Sequence, residues 1–134
     1  MKLLKKWRAD FLFGKALRLF EREKFNYAAS IFEELEKIEA EINRAEYRKE
    51  FNQYYLGRCY SALGKNHEAI NMFSNAYPLL RKRIKSFNSV DDIHIFKILA
   101  SEYIDLLTKT GQKSLAQKIG IDRDKFLGWS GNRK

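Results

Sequence analysis

Tyr55-Leu56-Gly57-Arg58-Cys59-Tyr60-Ser61-Ala62-Leu63-Gly64-Lys65-Asn66-His67-Glu68-Ala69-Ile70-Asn71-Met72-Phe73-Ser74-Asn75-Ala76 says more about the architecture of this chain than any other segment. It encodes two short helices lying face to face. Leu56, Gly57 and Tyr60 share one face of the first helix, at i, i+1 and i+4. Gly64 ends that helix, because a residue without Cβ enters the left-handed region that other side chains resist. Ala69, Phe73 and Ala76 recur at i, i+4 and i+7 on the second helix. Gly57 and Ala69 are small enough to let two backbones approach, and Tyr60 and Phe73 fill the space around that approach.

Outward from this hairpin the 3.6-residue period continues. A first helix is expected over about residues 3–22, with Leu12, Ala16, Leu19 and Phe20 as its apolar stripe and Leu4, Trp7 and Phe11 extending it upstream. Asn26 is the expected cap of a second helix bearing Ala28, Ile31, Phe32, Leu35, Ile38 and Ile42, and Asn43 the expected turn after it. The third helix is placed at about 46–63, and the fourth from Asn66 or His67 to the region of Pro78, which either kinks it or opens a short continuation. Ser86 to Asp92 reads as a loop. Asp91 or Asp92 then caps a fifth helix to about Thr110, with Ile95, Leu99, Tyr103, Leu106 and Leu107 inward. After Gly111 comes a shorter helix with Leu115, Ala116 and Ile119; Gly120 and Gly128 bracket a single last turn, and 130–134 is a frayed tail. The expected fold class is all-α, in one domain over 1–134.

The central hairpin resembles a tetratricopeptide repeat. Two weaker copies align with it. Upstream, Ala16, Leu19, Phe25, Ala28, Phe32 and Leu35 fall at the places of Gly57, Tyr60, Asn66, Ala69, Phe73 and Ala76; downstream, Ile104, Leu107, Gly111 and Ala116 fall at those of Gly57, Tyr60, Gly64 and Ala69. The resemblance therefore implies repeats at about 9–42, 50–85 and 91–120, forming a right-handed stack of three antiparallel helical hairpins. The alanines Ala28, Ala69 and Ala116 are 41 and 47 residues apart, wider than the family's period of about 34, so the stack is expected to be irregular. An unrelated α-helical bundle is the alternative.

In such stacks the first helix of each hairpin lines a concave groove. The resemblance thus implies a partner-binding groove presenting Phe13, Leu17, Tyr54, Arg58, Ser101 and Asp105. Family members that grip a peptide's C-terminal carboxylate do so with a lysine and an asparagine where this chain has Phe13 and Leu17, so that clamp is missing. Arg58 either pairs with a partner's carboxylate, the bidentate geometry that arginine favours, or forms an internal ion pair with Glu102 or Asp105. The groove is either open or filled by residues 121–134, with Trp129 folded back or on a mobile tail.

The chain carries 26 basic and 17 acidic residues, a net charge of +9. Its positive excess is densest at Arg81, Lys82, Arg83 and Lys85. That basic patch has three readings: a solvated helix end favoured by the helix dipole, a steering surface for an acidic partner, or a contact with nucleic-acid phosphates. The N-terminal Lys2, Lys5, Lys6 and Arg8 around Leu3, Leu4 and Trp7 have the composition of an interfacial helix; the continuation into Phe11 and Leu12 assigns them instead to the first core helix. No stretch approaches the ~18 apolar residues of a membrane span.

A single cysteine, Cys59, excludes an intramolecular disulfide and is expected to be a buried, inert thiol in a cytoplasmic protein. His67 and His94 form no metal spacing with it. Neither a phosphate-binding glycine loop nor a triad signature is present, so no catalytic residue, metal or cofactor is expected. The sequence points to a non-enzymatic adaptor that holds a peptide or helix of an acidic protein partner. The alternatives are a basic nucleic-acid-associated protein and a small inhibitor or immunity-type protein that occludes an enzyme.

Overall fold

A computed structural model describes residues 2–42 and 49–131. Among them the fold is all-α, with six helices: α1 (Lys2–Glu21), α2 (Phe25–Ile42), α3 (Lys49–Ala62), α4 (Asn66–Phe87), α5 (Val90–Lys109) and α6 (Lys113–Gly131). The chain falls into two compact units, Met1–Met72 and Phe73–Lys134; α4 begins in the first and ends in the second. The turn expected at Asn43 lies outside the described residues, as does the side chain of Trp129.

One turn is used three times. Glu23, Gly64 and Gly111 all have positive φ, at 60°, 78° and 85°. In each turn the next residue's N–H reaches back to a carbonyl five residues earlier: Lys24 to Leu19 at 2.9 Å, Lys65 to Tyr60 at 2.8 Å and Gln112 to Leu107 at 2.8 Å. The Glu23, Gly64 and Gly111 N–H groups in turn bond the Phe20, Ser61 and Thr108 carbonyls. This is a Schellman closure, which satisfies the carbonyls left open at a helix end. A new helix starts at once, and Ala28, Ala69 and Ala116, all buried, donate to the carbonyls of Lys24, Lys65 and Gln112. Leu19, Tyr60 and Leu107, aligned from sequence, occupy equivalent places in the three turns.

In the first unit α2 packs on both α1 and α3, and α1 also touches α3. Its core joins Ala9, Ala16, Ala28, Phe32, Leu35, Leu56 and Cys59, with Phe13, Leu17, Phe20, Tyr55, Tyr60 and Met72 packed against them. In the second unit α5 packs on α6. There Phe96 meets Tyr77 and Phe126, each with ring centroids 5.1 Å apart, among buried Leu80, Ile84, Leu99 and Leu107.

Several expectations are corrected. Gly120 and Gly128 do not bracket a separate turn: α6 runs through both to Gly131, anchored beyond Gly120 by buried Phe126 and by Asp122, which accepts the Tyr77 hydroxyl at 2.6 Å. The Ser130–Gly131 part of the expected frayed tail is thus helical. Pro78 neither ends α4 nor opens a new helix, since α4 continues to Phe87; the buried Leu80 and Ile84 beyond it hold the helix in place. The Ser86–Asp92 loop shrinks to Asn88 and Ser89. Ser89, not Asp91 or Asp92, is the N-cap, its hydroxyl accepting from the Asp92 N–H. Asn26 lies inside the first turn of α2 rather than capping it. Most consequential, Leu4, Trp7 and Phe11 are not part of the α1 core stripe but are 60%, 60% and 64% exposed.

The three turns make a paired test, because copy one carries glutamate where the others carry glycine. Nothing lies within 4 Å of a Cβ added at Gly64, so only backbone strain opposes a side chain there. Gly64→Ala is expected to lower stability by about 1 kcal/mol, and Glu23→Gly to raise it by a comparable or smaller amount. Urea unfolding of both variants checks the opposite signs.

Candidate functional site

The first unit carries an aromatic cluster built across its three helices. Phe13 and Phe20 come from α1, Phe25 and Phe32 from α2, and Tyr54 and Tyr55 from α3. Tyr55 is the hub: it stacks on Phe32 at 5.9 Å and meets Phe13, Phe20 and Tyr54 edge-on at 6.2, 5.2 and 4.8 Å. Such pairs add stabilisation beyond the area they bury. The Arg58 guanidinium lies over the Phe20 ring at 5.1 Å and the Tyr54 ring at 5.7 Å, and its Nη1 donates to the Tyr54 hydroxyl at 3.3 Å. The rings therefore fix the plane of the cation.

The groove residues expected from sequence divide accordingly. Phe13, Leu17, Tyr54 and Arg58 all belong to the first unit, where Phe13 and Tyr54 both meet Tyr55 and Arg58 lies over Tyr54. Tyr54 is only 1% exposed, so it supports Arg58 from beneath and presents no surface of its own; Phe13, Leu17 and Arg58 are half-buried. Ser101 and Asp105 are exposed on α5 in the second unit.

The basic patch is partly consumed by internal pairing. Arg81 reaches Asp122 at 3.6 Å and lies over the Phe126 ring at 4.9 Å. Arg83 Nε donates to the buried carboxylate of Asp92 at 2.9 Å. Desolvating Asp92 is tolerable because the Arg83 guanidinium pairs with it. Lys82 and Lys85 remain exposed. These pairs bring Arg81 and Arg83 into the packing between α4, α5 and α6, which a run of five sequential residues could not disclose.

Sequence reasoning also missed a buried polar contact. Asn52 donates to the Phe32 carbonyl at 3.1 Å and to Glu36 Oε1 at 2.6 Å, while Gln53 Nε2 lies 3.5 Å from Glu36 Oε2. Two consecutive amides point to the same carboxylate, locking α3 against α2. Between α5 and α6 a shallow depression of about 290 Å³ is lined by Ile104, Thr108, Lys113, Ala116 and Gln117. It is open to solvent and holds a lone charged group. Among the described residues no cluster of three or more His, Cys, Asp or Glu could hold a metal ion, and no helix is long and apolar enough to cross a membrane.

No protein-family model matches the chain, and no curated protein or solved structure matches it either.

Cys59 is fully buried. Burial pushes its thiol up from an ordinary 9.0 to about 12, against a smaller downward pull from Arg58. At pH 8 the thiolate should be on the order of a thousandfold scarcer than in the unfolded chain. A chromogenic thiol reagent is expected to react slowly with the native protein and within the mixing time in denaturant; rapid native labelling would contradict the buried placement.

The phenols of Tyr60 and Tyr77 are raised above the ordinary value of 10.0, chiefly by burial and then by donating to Glu33 and Asp122. With the folded value raised, the stability these neutral phenols contribute is complete below pH 10 and declines as pH rises beyond it. Tyrosinate absorbance and helical circular dichroism are expected to change together above that pH, with Tyr60→Phe and Tyr77→Phe reducing the coupling.

Proposed function

We propose that this chain is a tetratricopeptide-like scaffold that binds a protein partner. Its repeats would be the helix pairs α1–α2, α3–α4 and α5–α6, each closed by the same turn. The observation carrying this reading is the threefold recurrence of one turn, with its left-handed residue, its five-residue back-bond and its buried alanine. A unit that recurs at spacings of 41 and 47 residues fits a repeat scaffold whose hairpins share a turn while helix lengths drift.

On α1 and α3 the first unit offers the half-buried Phe13 and Leu17 together with Arg58, which lies over rings from both helices. Apolar contacts flanking a planar cation suit a peptide or helix that combines an apolar anchor with a carboxylate, and the net charge of +9 favours an acidic partner. An inhibitor of an enzyme would use the same face and differ only in what it occludes. The exposure of Lys82 and Lys85 supports a second reading, contact with nucleic acid; the commitment of Arg81 and Arg83 to Asp122 and Asp92 weighs against it.

The test is retention of partners by the immobilised full chain from its host's lysate, after nuclease treatment. A stoichiometric protein is expected to remain, and Arg58→Ala is expected to weaken its binding at least tenfold, about 1.4 kcal/mol, with helical circular dichroism unchanged. Equal binding by the variant would remove Arg58 from the site. Loss of every partner after nuclease would move the function to Lys82 and Lys85.

A further inference from the structure

We propose that the outer face of α1 is a docking surface for an anionic lipid bilayer. Leu3, Leu4, Trp7 and Phe11 are 58–64% exposed and fall within about one third of the helix circumference. Ala9 and Ala16, both buried, mark the opposite face that packs into the core. α1 thus has two apolar sides, and the core uses only one. Exposures this high belong to side chains standing on a ridge, not to residues lining a recess. A ridge offers a protein partner little to enclose, whereas a bilayer surface closes around it and needs no preformed cavity.

Charge identifies the kind of surface. α1 holds six basic residues against two acidic ones, and Lys6, Arg8 and Lys15 border the apolar stripe on its two sides, with Asp10 the acid nearest to it. The acids of α2 that pair with α1 are already met: Lys5 reaches Glu41 at 2.9 Å and Arg8 reaches Glu34 at 2.5 Å. The Arg8 side chain is still 63% exposed in that pair, so it can engage a headgroup from the same position. Two copies placed stripe to stripe would bring these cations together, which disfavours self-association through this face. Leucine, phenylalanine and tryptophan bordered by lysine and arginine are the composition that seats a helix in the headgroup layer, with the ring at the interface and the cations reaching phosphate. α1 would lie along the surface and the rest of its unit above it, without crossing.

This inference is independent of Arg58 and can fail or hold without the scaffold reading. The full chain is mixed with vesicles of phosphatidylcholine alone or with one third phosphatidylglycerol and sedimented. The Trp129→Phe protein isolates Trp7 fluorescence. Expected are cosedimentation with the anionic vesicles only, a blue shift of Trp7, and weakening at high salt. Leu4→Ser/Phe11→Ser is expected to lower the vesicle affinity at least tenfold with circular dichroism unchanged, since both positions are exposed; Arg58→Ala should bind vesicles as the parent does. Absence of binding to anionic vesicles, or equal binding by the double serine variant, overturns the proposal. So does a dimer in sedimentation velocity that the double serine variant abolishes, which would give the stripe to a second copy of the chain.

Discussion

Everything in this structure hangs on a backbone constraint, a residue in the left-handed region followed by a back-bond over five residues. That closure reverses the chain within three residues and lets the next helix start without a loop. It leaves little slack for the joined helices to separate, and α2 packs on α1 and α6 on α5. Small side chains at Ala28, Ala69 and Ala116 follow from the same geometry, because the returning helix enters the core immediately after the turn. The left-handed position strongly favours glycine, and copy one meets it with Glu23 at φ 60°, where the surrounding packing of Phe20 on Phe25 holds the turn closed.

The second organising element is how aromatic and cationic groups share the core. Tyr55 gathers rings from α1, α2 and α3, and Arg58 is spread over two of the rings at the edge of that cluster. In the other unit Arg81 repeats the arrangement over Phe126 while pairing with Asp122. Both arginines sit where a lysine's point charge would gain less, since only a flat delocalised cation can stack and hydrogen-bond at once. A positive net charge is thereby built partly into the packing rather than left wholly on the surface.

Local signals were readable and non-local ones were not. Gly64 and Gly111 each end a helix for a reason confined to one residue, and Ala69 with Phe73 repeats at a spacing visible in a short window. Gly120 and Gly128 carry the same residue type yet sit inside α6, because Phe126 and Asp122 are engaged by α4 and α5, dozens of residues earlier in the chain. The α1 stripe misled for another reason. Leu4, Trp7 and Phe11 share a helix with the buried Ala9 and Ala16, and a helix apolar on two sides has no period that tells which side the core will take. At the site, Tyr54 and Arg58 stand one helical turn apart, a spacing visible in the sequence, but the gathering of Phe13, Phe20 and Phe32 around Tyr55 depends on rings from three helices.

The pairing of α2 with both α1 and α3 has a consequence for biosynthesis. Every packed pair within a unit is formed by helices adjacent, or nearly adjacent, in the chain, so little loop entropy stands before each contact. The α1–α2 hairpin can close while the later helices are still inside the ribosome, and α3 as it emerges meets a formed α2. Within the first unit, assembly can then follow the order of synthesis, and the inner faces of α1 and α2 are covered soon after they are made.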